Sequence, residues 1–193
     1  QRARDGGARV ALGGLGVHVG AAPSLRAPRA VAIGRQANLL QWGFYGAPDR
    51  ILCAEAWVQP ESRLARYVRH DEMHQAFNFE YLDAPWAADP LRKVIDTTMG
   101  ANEAVGATTT WVLSNHDVVR HATRYGGGPE GLDRARAAVM TMMALPGSAY
   151  VYQGEELGLE EVLDLPDELR QDPTDVSAAG TDRGRDGCRV PIP

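Results

Sequence analysis

A chain of 193 residues, 44% of them hydrophobic, holds enough apolar side chain for a sizeable core, and its formal net charge of −5 argues against nucleic acid as a partner. No run approaches the roughly 20 apolar residues of a membrane span, so no membrane role is expected. The two cysteines, Cys53 and Cys188, lie far apart in sequence; they read as free thiols of a reducing, cytoplasmic compartment rather than as a disulfide scaffold.

Charge and pattern divide the chain near residue 49. Residues 1–48 hold six arginines and one acidic residue, Asp5, for a net of +5, whereas residues 49–193 carry a net of −10. In residues 1–48 Gly, Ala and Arg dominate, and the apolar residues keep neither the period of a strand nor that of a helix. The run Gly13-Gly14-Leu15-Gly16 fits neither phosphate-loop spacing. The expectation is an irregular Gly/Ala/Arg-rich arm, read as aberrant sequence such as an out-of-frame translation of a GC-rich gene.

From Asp49 the pattern becomes regular. Arg50 to Ala56 reads as a strand, and Glu61 to Val68 as a short helix after Pro60. Gln75 to Phe79 alternates and reads as a second strand, which places Phe77 and Phe79 on one face. Pro90 to Val105 reads as a helix, with Pro90 in the first turn and Leu91, Val94, Ile95, Thr98 and Met99 at helical spacing. Thr109 to Leu113 is a third strand. Leu132 to Leu145 is an Ala- and Met-rich helix stopped by Pro146-Gly147, and Ala149 to Tyr152 is a fourth strand. Strands alternating with helices predict parallel β/α units and an α/β fold. From Gly154 to Pro193 the rise in Gly, Pro and Asp predicts a long loop.

Two of these strands end in chemistry. Arg50-Ile51-Leu52-Cys53-Ala54-Glu55-Ala56-Trp57 delivers one carboxylate, and Trp111-Val112-Leu113-Ser114-Asn115-His116-Asp117 delivers an imidazole beside a second. Strands that each carry an acid at the C-terminal end are how a (β/α) barrel sets paired carboxylates over a substrate. Taken alone, Glu55 reads as a surface acid and His116-Asp117 as a loop cap. Alternation puts Cys53 on the face of Glu55, where a thiol is first a small apolar filler. Two further runs stand out, His74-Gln75-Ala76-Phe77-Asn78-Phe79 and Tyr152-Gln153-Gly154-Glu155-Glu156, with a tail of Gly184-Arg185-Asp186-Gly187-Cys188-Arg189-Val190-Pro191.

Together these segments resemble the glycoside hydrolase 13 family, the α-amylase and α-glucosidase clan, over residues 49–193. The resemblance implies the second half of a (β/α)8 TIM barrel, left incomplete because a full barrel needs about 250 residues. The absence of an initiator Met and the loop-like end at Pro193 fit a fragment. The implied activity is that of a retaining α-glucosidase, which removes terminal α-linked glucose from short oligosaccharides. Glu55 is then the general acid/base and Asp117 the carboxylate that stabilises the transition state. His116 and Arg189 bind substrate, and the resemblance implies no cofactor and no metal at these positions. Arg189 stands in Arg-Val-Pro where the family usually has Arg-Thr-Pro. The family's nucleophilic Asp lies in a Gly-x-Arg-x-Asp motif, and no such motif occurs here, so the isolated chain is expected to be inactive. Ser114, Asn115 and Glu155 read as structural supports. His74 reads as a structural histidine, Arg120 and Arg124 as partners of carboxylates, with Arg124 alternatively solvent-facing, and Phe77 and Phe79 as core or as pocket walls. Two other readings remain: a transglycosidase or sugar isomerase of the same family, and a non-catalytic sugar- or partner-binding relative.

Overall fold

The computed structural model describes the backbone of residues 8–12 and 15–19, and residues 52–173 and 184–192. The chain divides into two compact units. The first comprises Gln1–Glu80, Leu91–Thr110 and Pro146–Ser148, and the second Tyr81–Pro90, Trp111–Leu145 and Ala149–Pro193.

The first unit is organised around strand β3 (Leu52–Glu55). Strands β1 (Ala8–Leu12) and β2 (Leu15–Val19) pair antiparallel, and β1 continues antiparallel onto β3 with Val10 opposite Ala54. The basic arm, expected to be irregular, therefore contains a hairpin. Its two strands are short and broken by Gly13-Gly14, so neither showed a period-2 run long enough to register. On its other side β3 pairs in parallel with β4 (Gln75–Ala76), Ala54 facing Ala76. The parallel order extends through a bridge from Phe77 to Thr110 in β5 (Thr110–Val112), and β5 pairs with β6 (Ser148–Tyr150).

Alternation decides which face each side chain of β3 takes. Ala54 and Ala56 point one way and join Leu64, Tyr67, Val68, Met73 and Ala76 in a core cluster. Leu64 ends α1 (Glu61–Leu64), and the chain tightens into a 3₁₀ turn over Ala65–Val68. Cys53 and Glu55, at the intervening positions, face the other way. The strand expected to run to Phe79 stops early. Asn78, 1% exposed, donates its amide to Thr98 Oγ1 (3.1 Å), and Phe79 already opens helix α2 (Phe79–Asp83). Helix α3 (Ala88–Glu103) holds Pro90 in its first turn, and Asn102 donates to Thr109 Oγ1 (2.9 Å) at the start of β5.

The second unit buries Trp111 and Leu113 completely, with Tyr81 packed edge-on to Trp111 at a centroid distance of 5.0 Å. After the loop that follows β5 come α4 (His121–Arg124) and α5 (Gly128–Ala144), which buries Ala135, Ala138 and Met142. Helix α5 starts four residues earlier than its apolar pattern announced, because Pro129 suits a first turn. Helix α4, a single turn, carries no periodicity to read. The segment from Gly154 contains 3₁₀ turns at Glu155–Leu157, Asp167–Leu169 and Asp186–Arg189. Among the described residues no helix is long and apolar enough to cross a membrane.

Gly147 turns the chain from α5 into β6 at φ +123°, where a Cβ would run into the carbonyl of Thr109. Gly147→Ala is therefore expected to destabilise the fold by about 1–3 kcal/mol. A chemical-denaturation midpoint equal to that of the unmodified chain would show that the turn tolerates a side chain.

Candidate active site

Glu55 closes β3 and is partly buried. Period-2 geometry sends the alanines that flank it into the core on the opposite face. The aromatic group on its own parity is Trp57, 46% exposed, stacked on the buried ring of Phe79 at 4.2 Å with an interplanar angle of 20°. Phe77 lies 6.0 Å from Phe79 and is only partly buried, so of the two phenylalanines Phe79 is the core residue. His74 is exposed in the loop before β4.

The other expected site residues, His116, Asp117 and Arg189, belong to the second unit, which brings them together. The loop that bears them is fixed from both ends. Asn115 Oδ1 accepts the backbone N–H of Asp117 at 2.8 Å, a local turn that this side chain favours. Ser114 Oγ accepts the N–H of His121 at 3.0 Å and lies 3.0 Å from His121 Nδ1. His121 Nδ1 is in turn 3.1 Å from Glu155 Oε1, while Glu155 Oε2 accepts the N–H of Tyr152 at 2.9 Å. Ser114, His121 and Glu155 are all buried. The supporting roles expected for Ser114, Asn115 and Glu155 fit these bonds.

Asp117 Oδ1 is the focus of three cationic or polar groups. Arg185 Nη1 donates to it at 2.7 Å and Arg189 Nη2 at 2.8 Å, and His116 Nε2 lies 3.6 Å away. Arg189 also donates from Nε to the carbonyl of His116 at 2.7 Å. Its guanidinium thus grips both members of the His-Asp pair. Arg185 is held from behind by Asp172, whose side chain is 0% exposed and whose Oδ2 accepts Arg185 Nε at 2.5 Å. The hydrogen bond to Asp172 and the charges of Asp117 and Asp172 raise the Arg185 pKa above its ordinary value. Sequence reasoning singled out neither Arg185 nor Asp172 as a site residue. Arg185 stands four residues before Arg189 in the same turn, which was a usable signal. Asp172 sits in an acid-rich loop with no pattern to distinguish it.

The guanidinium groups of Arg120 and Arg124 donate to backbone carbonyls. Arg120, 1% exposed, donates to the carbonyls of Gln153 (2.9 Å) and Cys188 (3.1 Å). Arg124 donates to the carbonyls of Val119 (2.9 Å), Leu82 (2.6 Å) and Leu113. Burial lowers the Arg124 pKa, opposed by the nearby Tyr125, Asp83 and Glu155. Cys188, buried in the turn between the two site arginines, has its thiol pushed up to about 11, first by burial and then by the charge of Glu161.

Known proteins resemble this chain over much of its length. Residues 27–193 match the family described as alpha amylase, catalytic domain, a match that begins inside the basic arm. The chain is 37% identical over 123 residues to a probable alpha-glucosidase of Rhizobium meliloti (strain 1021), covering 63% of this chain and 22% of that protein. It is 31% identical over 158 residues to Maltase A1 of Drosophila melanogaster, covering 76% and 26% respectively. Among solved structures, the alpha-glucosyl transfer enzyme XgtA superposes with a TM-score of 0.73 at 29% identity, over 92% of this chain and 31% of that one. The chain spans about a quarter of the length of these curated relatives. It belongs to the alpha-amylase catalytic domain family, and its fold is part of a (β/α)8 barrel.

Two measurements check the electrostatics. Glu161 accepts the N–H of Arg120 at 3.0 Å, yet burial raises its carboxyl pKa, with Arg120 only partly opposing. A raised folded-state value means that the stability contributed by Glu161 is complete below its unfolded pKa and is lost as pH rises through the folded one. Glu161→Gln, which mimics the protonated acid, should therefore gain melting temperature relative to the unmodified chain between pH 4 and pH 7; a pH-independent difference would refute the assignment. Cys188 should resist iodoacetamide at pH 8 in the folded chain and react in urea, as read by mass spectrometry. Rapid labelling of the native protein would contradict its burial.

Proposed function

We propose that this member of the alpha-amylase family is the second half of the catalytic barrel of a retaining α-glucosidase, which hydrolyses terminal α-linked glucose from short oligosaccharides. The observation that carries the reading is the pair of guanidinium groups fixed on Asp117 Oδ1, in a chain whose relatives include a probable alpha-glucosidase and a maltase. A carboxylate held this way is oriented before the substrate arrives, so little reorganisation is needed when positive charge develops on the sugar ring.

In this reading Glu55 protonates the glycosidic oxygen as the bond to the anomeric carbon breaks. A second carboxylate, for which this chain offers no recognisable motif, attacks that carbon. Glu55 then takes a proton from the incoming water, which releases glucose with its original configuration. Asp117 accepts hydroxyl hydrogens of the glucose ring, in bonds that tighten as the ring becomes cation-like. His116 contributes a ring N–H toward neighbouring hydroxyls. Arg189, read from sequence as a substrate-binding residue, serves here first by holding Asp117 and the His116 carbonyl.

A second reading is favoured by one observation, the likeness to an alpha-glucosyl transfer enzyme over 92% of the chain. In a transferase the same carboxylates act, and a sugar hydroxyl replaces water as the final acceptor.

In the whole protein that carries this chain, Glu55→Gln and Asp117→Asn should each lower kcat/KM on maltose by about 10²–10⁴-fold without loss of fold. Near-normal turnover in either variant would remove that residue from the mechanism. Separation of the maltose products decides between the two readings, since glucose alone means hydrolysis and a new disaccharide or trisaccharide means transfer.

A further inference from the structure

We propose that Asp172 is a positioning residue that acts through Arg185 to set the carboxylate of Asp117. The inference rests on the reading of Asp117 as the carboxylate that grips the sugar. It extends the site to a loop that no sequence motif marks.

Asp172 engages one whole edge of Arg185. Its Oδ2 accepts the backbone N–H of Arg185 at 3.0 Å and Nε at 2.5 Å, and its Oδ1 accepts Nη2 at 3.3 Å. A guanidinium is a rigid plane, so fixing the edge formed by Nε and Nη2 fixes the direction of the remaining nitrogen. That nitrogen, Nη1, donates to Asp117 Oδ1 at 2.7 Å. Asp172 Oδ2 also lies 3.9 Å from Nη1 of Arg189, the second arginine on Asp117. The charge of Asp172 thus stands behind both donors.

Asp172 is itself immobilised. Its own N–H and that of Gln171 both donate to Asp186 Oδ2 at 2.8 Å. Gly184, at φ +68°, lies against it so closely that a Cβ there would approach Asp172 Cβ to 2.9 Å. Asp172, Gly184, Arg185 and Asp186 therefore form one closed staple. Charge explains the need for an acid at this place. Two guanidinium groups facing Asp117 alone would leave a partly buried positive excess; with Asp172, two cations meet two anions.

The test is a double-mutant cycle in the whole protein, read on an activated aryl α-glucoside so that weak variants remain measurable. Asp172→Asn keeps the shape and removes the charge. It should lower kcat about 10–100-fold, the effect of a small misplacement of a reacting group, with KM and melting temperature nearly unchanged. In an Asp117→Asn background the same change should cost less than about twofold, because the group it positions is already gone. Arg185→Lys, which breaks the relay at its middle, should behave in the same way, and it decides the matter if Asp172→Asn does not fold. Wild-type kcat in Asp172→Asn, alongside an impaired Asp117→Asn, would overturn the positioning role and leave the reading of Asp117 intact. An equal loss in both backgrounds would also overturn it, since that is the signature of a role in folding alone. Wild-type kcat in Asp117→Asn would overturn the reading of Asp117 and the relay with it.

Discussion

A carboxylate cannot leave water alone, and the second unit is arranged around that constraint. Asp172 is wholly buried and Glu155 nearly so, and each lies against polar partners. Asp172 meets Arg185, and Glu155 meets His121 and the N–H of Tyr152. Because these partners come from helix α4 and from the segments after β6, satisfying the buried acids also ties those parts of the chain together. Irregular chain with little secondary structure is thereby held in one arrangement. The buried Arg120 adds to this by bonding the carbonyls of Gln153 and Cys188.

The two units place their candidate site carboxylates by different means. In the first, a strand does the work: period-2 geometry commits Ala54 and Ala56 to the core and so turns Glu55 out of it. The position of the acid follows from the backbone. In the second, loops do the work. Asp117 lies beyond the end of β5, and its orientation is set by Asn115 within its own loop and by Arg185 and Arg189 from more than sixty residues away. Local geometry suffices for an acid at a strand end, whereas an acid in a loop needs long-range donors.

Much of the architecture was legible in the residues. The strands near Glu55 and before Asp117, the helices α3 and α5, and the loop character of the tail all follow from periodicity, Pro placement and Gly content. Family resemblance supplied the roles proposed for Glu55, His116, Asp117 and Arg189. Other features left no trace of that kind. The β1–β2 hairpin is hidden among Gly and Arg. The single turns α2 and α4 are too short for a 3.6-residue period to show, and α2 begins where an alternating run predicted strand. Arg120 and Arg124 looked like partners for carboxylates, yet they brace carbonyls. Which acceptor a guanidinium finds depends on which loops fold back over it.

By itself the sequence determined the alternation of strands and helices, the family, and the residue types that end each functional strand, since these depend on chemistry within a few positions. Only the tertiary structure decided that Arg185 and Asp172 belong with Asp117. Arg185, 68 residues from Asp117, and the charge of Asp172 behind it acquire a relation to that carboxylate only once the chain has brought Arg185 within 3 Å of both. The need for partners at a buried acid can be foreseen from residue type, but their identity is a property of the fold.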